Sequence, residues 1–139
     1  MSTLSPLAAS LHVAIGGAVG AVLRYQMGRA MTGWLGAPAM SLFPWATLAV
    51  NALGSLLMGL LWGWLAMKGG SDPSSTDQLR LLLATGLLGG FTTFSAFSLE
   101  MIVMIERGQY LFAALYLILS VCLALSALMF GVTFMRLFQ

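Results

Sequence analysis

The chain has 139 residues, 60% of them hydrophobic and only 7% charged, with a formal net charge of +2. A soluble domain carries about 25% charged residues, so this chain lacks the polar surface to cover a globule in water. Its six basic residues are scattered along the sequence, which excludes the clustered Lys/Arg footprint of a nucleic-acid binder. Cys122 is the sole cysteine, so an internal disulfide and a multi-cysteine metal site are excluded as well. The Met1–Ala9 stretch lacks a basic n-region, and the first apolar run is therefore expected to be retained rather than cleaved.

Charged residues punctuate four apolar stretches, read as one transmembrane domain. The first span covers about 7–24 and ends at Arg24; the second covers about 45–67 and ends at Lys68. Between Lys68 and Arg80, Gly69-Gly70-Ser71-Asp72-Pro73 forms the most hydrophilic, turn-prone segment. The third span covers about 79–105, Glu106-Arg107-Gly108 makes a tight connection, and the fourth covers about 110–134 with Arg136 beyond it. Each is near or above the ~20 residues a helix needs to cross hydrocarbon. Trp45, Trp62, Trp64 and Tyr110 stand near span ends, as interfacial anchors do.

Orientation is undetermined by charge. Lys68, Arg80 and Arg136 fall on one side, and Arg29, Arg107 and the span-end Arg24 on the other, so the positive-inside rule gives no bias. An unbiased chain inserts both ways round, and an antiparallel, dual-topology homodimer is one natural product. Small residues mark where helices meet: Gly16, Gly17, Gly20 and Ala21 on the first span, Gly59 and Gly63 on the second. That spacing serves contacts within a chain as well as between chains.

The third span carries the strongest signal. From Leu81 to Leu99 there is no charge, yet its centre reads Gly89-Gly90-Phe91-Thr92-Thr93-Phe94-Ser95-Ala96-Phe97-Ser98. Glycine costs a helix roughly 1 kcal/mol against alanine, and threonine hydroxyls compete for backbone hydrogen bonds. A broken helix at membrane depth is tolerated only where protein or a water-filled path satisfies the freed groups. The decapeptide therefore reads as an ion or substrate site near the bilayer midplane. Around it, Thr47, Asn51 and Ser55 recur at four-residue spacing and share a stripe, as do Tyr116, Ser120 and Ala124. Phe94 and Phe97 share a face, with Phe91 on the same side, and Ser95 and Ser98 add hydroxyls nearby. Phenyl rings have positive edges, and an asparagine amide donates. This donor-rich, nearly charge-free set suits a small hydrated anion that must shed water and leave again.

The motifs Gly16-Gly17-x-x-Gly20-Ala21-x-x-Arg24-Tyr25, Thr47-x-x-x-Asn51-x-x-Gly54 and Gly89-Gly90-Phe91-Thr92-Thr93-Phe94-Ser95-x-Phe97-Ser98 resemble those of the Fluc (CrcB) fluoride channel family, in order and over essentially the whole chain. The resemblance implies an all-α, four-helix protein of the plasma membrane (a bacterial inner membrane) with its third helix broken at the centre. It also implies a dual-topology homodimer in which two pores, each built from both subunits, release cytoplasmic fluoride passively and confer fluoride resistance. By matching position, Asn51, Phe94 and Phe97 with Ser95 are implied to line the pore, continued by Thr47, Tyr116 and Ser120. Backbone carbonyls of Gly89 and Thr92 are implied to hold a central structural sodium ion. Arg24 matches a basic residue near a vestibule, and Glu100 an acidic residue towards the pore end. Ala96 and Ala124 lack hydroxyls that some members carry, which shortens the implied polar track.

Other readings compete. A small proton-coupled multidrug exporter needs a membrane-embedded carboxylate; the first two spans have none, and Glu100 falls near the end of the third. A structural or assembly subunit explains the small residues but not Asn51, the broken span and the phenylalanine pair together. An enzyme is disfavoured because the only histidine, His12, has no nucleophile or ligand partner in its span.

Overall fold

The computed structural model describes residues 4–68 and 73–138, and among these it is helical with no strand. The expected turn at Gly69-Gly70-Ser71-Asp72 lies outside the described residues. The elements are α1 (Pro6–Leu35), α2 (Ala37–Leu42), α3 (Trp45–Lys68), α4 (Pro73–Leu79), a π-helical run Arg80–Leu88, α5 (Gly89–Phe91), α6 (Phe94–Glu106) and α7 (Tyr110–Arg136). Four helical stretches are long and apolar enough to cross a membrane: Pro6–Leu35, Trp45–Lys68, Pro73–Glu106 and Tyr110–Arg136.

Local chemistry explains the ends. Ser5 caps α1, its hydroxyl oxygen accepting the Ala8 N–H at 3.3 Å, and Pro6 sits in the first turn, where its missing N–H costs nothing. The helix runs past Arg24, where the first span was expected to end, to Leu35. Arginine is a good helix former, so a charge bounds the hydrocarbon but not the helix. What stops α1 is Gly36 at φ +83°, a left-handed conformation open to glycine. Gly108, at φ +72°, does the same at the tight α6–α7 connection, where its N–H donates to the Ile105 carbonyl at 2.9 Å.

Two close packings organise the bundle. On one side α1 lies against the first half of the third crossing, the π-helical run and α5. A Cβ at Gly16 would overlap the Leu82 carbonyl, one at Gly20 the Leu87 carbonyl, and one at Gly90 the Gly17 backbone. On the other side α3 packs along α7, where Gly59 faces the Leu128 carbonyl and Gly63 faces Met135. The small-residue spacings thus serve contacts within the chain, backbone against backbone. The second half of the third crossing, α6, packs on α7 instead. There Phe43, Leu48, Phe97, Met104, Ala113 and Tyr116 form the buried cluster. Large apolar side chains elsewhere on α1 and α7, such as Ile15, Val22, Leu111 and Phe130, face outward, as lipid contact requires.

Gly20→Val should drive a side chain into the Leu87 carbonyl and cost at least the ~1–3 kcal/mol typical of overpacking. Gly33→Ala meets nothing within 4 Å and should be neutral or gain up to ~1 kcal/mol of helix propensity. Denaturation midpoints of the detergent-solubilised variants check both; equal midpoints would remove the close-packing argument.

Candidate functional site

The third crossing breaks at Thr92 and Thr93, whose backbones are extended at φ −81°, ψ 160° and φ −153°, ψ 125°. Asn51 closes the break from α3. Its Oδ1 accepts the Thr93 N–H at 2.8 Å and its Nδ2 donates to the Thr93 carbonyl at 2.9 Å. One amide thereby satisfies both main-chain groups of an extended residue that lipid cannot serve. Gly54, one turn along α3, makes the approach possible, because a Cβ there would overlap the Thr92 methyl. Asn51 and Gly54 therefore form one seat for the break.

Thr93 then starts the next helix. Its hydroxyl oxygen accepts the Ala96 N–H at 3.1 Å as the N-cap of α6 and lies 3.3 Å from the Ser95 hydroxyl. These bonds redirect two donors. In an unbroken helix the Thr93 N–H would pair with the Gly89 carbonyl, and the Ala96 N–H with the Thr92 carbonyl. Both are spent on side chains instead, so the carbonyls of Gly89 and Thr92 lose their helical donors. Gly89 is exposed and Thr92 half-buried. The Thr92 N–H and hydroxyl both donate to the Leu88 carbonyl, at 2.9 and 2.8 Å. Two freed oxygens on a neutral segment are the hard donor set that suits a small cation.

Beside the break runs a groove of about 460 Å³ lined by Asn51, Ser55, Thr93, Phe94, Phe97 and Ser120, with Gly54, Thr92 and Ala124 also on its wall. No charged side chain lines it among the described residues. Phe94 is 79% exposed, and its ring centroid is 5.6 Å from that of the buried Phe97. The Ser120 hydroxyl is buried and has no hydrogen-bond partner among the described residues, which costs free energy unless a guest accepts from it. Phe91 does not share this face. The extended Thr92-Thr93 uncouples the two halves of the crossing, and Phe91 is buried beside Gly54.

Thr47 and Tyr116 lie off the groove, where they meet Glu100. The Thr47 hydroxyl donates to Glu100 Oε1 at 2.7 Å and the Tyr116 hydroxyl to Oε2 at 2.6 Å. Glu100 is half-buried within α6 and well short of its Glu106 end, so it is no helix-end residue. Tyr116 is fully buried, 5.1 Å from the Phe97 centroid and edge-to-face with Phe43 at 5.4 Å. Ser95 is exposed at the start of α6. Arg24 is also apart from the groove and lines a separate cavity with Tyr25, Gly28, Arg29, Thr32 and Met40. Sequence reasoning assigned no role to Thr93 or Phe43. A threonine opening an apolar helical run is the cap signal that marks Thr93; no pattern singles out Phe43.

Replacing Asn51 by leucine should strand the Thr93 N–H and carbonyl, at about 1–3 kcal/mol for each unsatisfied group. Thr93→Val, losing only the cap, should cost about 1 kcal/mol. Unfolding titrations of both variants test the order; a Thr93→Val loss equal to that of Asn51→Leu would refute the two-point pairing.

Residues 11–132 match the family model described as "CrcB-like protein, Camphor Resistance (CrcB)". A protein of Erythrobacter litoralis named "Fluoride-specific ion channel FluC" is 71% identical, over 99% of this chain and 99% of its own length. Proteins of the same name from Novosphingobium aromaticivorans and Hyphomonas neptunium are 50% and 48% identical, covering 94% and 91% of this chain and 98% and 94% of their own. With four membrane-crossing helices, the chain is a multi-pass plasma-membrane protein and belongs to the CrcB family.

Proposed function

We propose that this protein is a fluoride-selective passive channel that releases cytoplasmic fluoride, working as an antiparallel homodimer with two pores. The names of its relatives supply the ion. The observation that carries the reading is the charge-free groove beside the break. There the second amide hydrogen of Asn51, the unpaired Ser120 hydroxyl and the Phe94 and Phe97 rings stand together. Donors and positive ring edges replace water around fluoride, while the absence of a lining cation keeps binding weak enough for the ion to leave.

The pore lining in this reading is Asn51, Ser95, Phe94, Phe97 and Ser120, continued by Thr47 and Tyr116. Both of the last two spend their hydroxyl protons on Glu100, so fluoride competes with that carboxylate for them. Phe94 stands exposed at membrane depth on an open-sided groove, and a second, inverted copy would cover it. The freed carbonyls of Gly89 and Thr92, with their counterparts in that copy, would hold a sodium ion, which supplies fixed positive charge and fastens the dimer. Fluoride enters cells as its neutral acid and ionises inside. A negative-inside potential then drives the anion out with ~2.3 kcal/mol per 100 mV, so no pump is needed. A proton-coupled exporter finds no support among relatives named as channels.

Reconstituted in liposomes, the protein should release fluoride rapidly and chloride hardly at all; comparable chloride release, or neither, would refute the channel. Phe94→Ile and Asn51→Asp should each slow fluoride release about tenfold or more, the effect of ~1.4 kcal/mol on a barrier. Full flux in both would remove the pore lining. Thr92→Ser keeps the main chain and should leave sodium dependence near wild type; loss of cation binding with an intact dimer would exclude a carbonyl site.

A further inference from the structure

We propose that the cavity between α2, the start of α3 and the end of α6 is an antechamber of the fluoride path, where Arg107 gathers the hydrated anion. This rests on the channel reading above. The cavity holds about 350 Å³, and Phe43, Thr47, Glu100, Val103, Met104 and Arg107 are on its wall. It continues the line of the groove beside the break. Thr47 is one turn from Asn51 on α3, and Tyr116 is one turn from Ser120 on α7. Asn51 and Ser120 line the groove, whereas Thr47 lines the cavity. Tyr116 stands between the two, its ring centroid 5.1 Å from that of Phe97 in the groove and 5.4 Å from that of Phe43 in the cavity. Its hydroxyl donates to Glu100 on the cavity wall at 2.6 Å.

Charge and size select what collects there. On α6, Glu100, Val103, Met104 and Arg107 recur at helical spacing and share one stripe. Arg107 caps the end of α6, about 10 Å along the axis from Glu100. It is exposed where the third crossing ends, while Phe43 and Met104 on the same wall are buried. Both Glu100 oxygens already accept hydroxyl protons, from Thr47 and Tyr116. The Arg107 guanidinium has no carboxylate partner among the described residues, and the neighbouring Glu106 is exposed and off the wall. The ionic group left without a partner on this wall is therefore a cation. A water occupies about 30 Å³, so the cavity has room for roughly ten and an ion enters it hydrated. A guanidinium at this end raises the local concentration of fluoride, and the cation-free groove beyond Tyr116 still lets the ion pass.

Fluoride release from liposomes carrying the whole chain, at low fluoride and varied ionic strength, tests the role of Arg107. The screening length falls from ~30 Å in about 0.01 M salt to ~3 Å in about 1 M, so an impermeant salt switches the attraction off. In dilute salt Arg107→Gln should slow release about threefold and Arg107→Glu about tenfold, within the range of electrostatic effects on entry. Arg107→Lys should match the wild type, and in concentrated salt all four proteins should release fluoride alike. An Arg107→Gln loss of equal size in both salts would assign the residue a structural role. Undiminished release from both charge variants in dilute salt would remove the gathering role, and faster release from Arg107→Glu would give the cavity to cations. Each of these overturns the proposal while the channel stands. Chloride release equal to fluoride release in the wild type, or release of neither, would overturn the channel reading and the antechamber with it.

Discussion

Crossing hydrocarbon with two extended residues is the constraint on which the rest of this structure turns. An unpaired N–H or C=O in lipid costs several kcal/mol, and Thr93 would present one of each. Asn51 meets both with a single side chain, at 2.8 and 2.9 Å. A hydroxyl donates and accepts through one atom and a carboxylate only accepts, whereas a side-chain amide sets donor and acceptor on separate atoms of one neutral group. Gly54 is the spatial condition for that bond, and the Thr93 cap is its continuation into α6.

Because the break is pinned, the two halves of the third crossing are free to answer to different neighbours. The first half lies backbone-to-backbone on α1 through Gly16, Gly20, Gly86 and Gly90, a contact made of van der Waals proximity rather than hydrophobic burial. Its π-helical geometry along Arg80–Leu88 accompanies this close fit, although the contacts give no physical reason for a π turn over an α turn. The second half lies on α7 through Phe97, Tyr116 and Met104. The groove exists because these two allegiances diverge at Thr92.

Much of this is legible in the chain itself, for identifiable reasons. Paired glycines and threonines in an uncharged run announce a break because both weaken a helix, and four-residue spacing puts Asn51 and Ser55 on one face. The partner of Asn51 is not legible, since it is a main-chain group on another helix, forty-two residues away. The same holds for Glu100, whose position near the end of an apolar run suggests a boundary. Its hydroxyl partners come from α3 and α7 and draw it inward. The end of α1 is not legible at Arg24, because charge reports on the hydrocarbon, whereas Gly36 reports on helix geometry. Helical spacing groups Phe91 with Phe94, but the extended Thr92-Thr93 between them breaks that spacing.

Hydrogen-bond supply gives a last argument about what the groove admits. Most polar side chains at this depth are already spent on protein: Thr92 on the Leu88 carbonyl, Ser98 on the Phe94 carbonyl, and Thr47 and Tyr116 on Glu100. What remains beside the rings, among the described residues, is the Ser120 hydroxyl, the Ser55 hydroxyl and one amide hydrogen of Asn51. A guest that needs a carboxylate would find Glu100 off the groove and already accepting from Thr47 and Tyr116. A guest that is itself a compact acceptor finds these donors and positive ring edges in a low-dielectric setting, where such contacts are strongest. A bulky organic cation is offered no carboxylate on the groove wall among the described residues, whereas a small anion is offered several donors at once. The polarity of the supply, more than the size of the groove, therefore argues for an anion path.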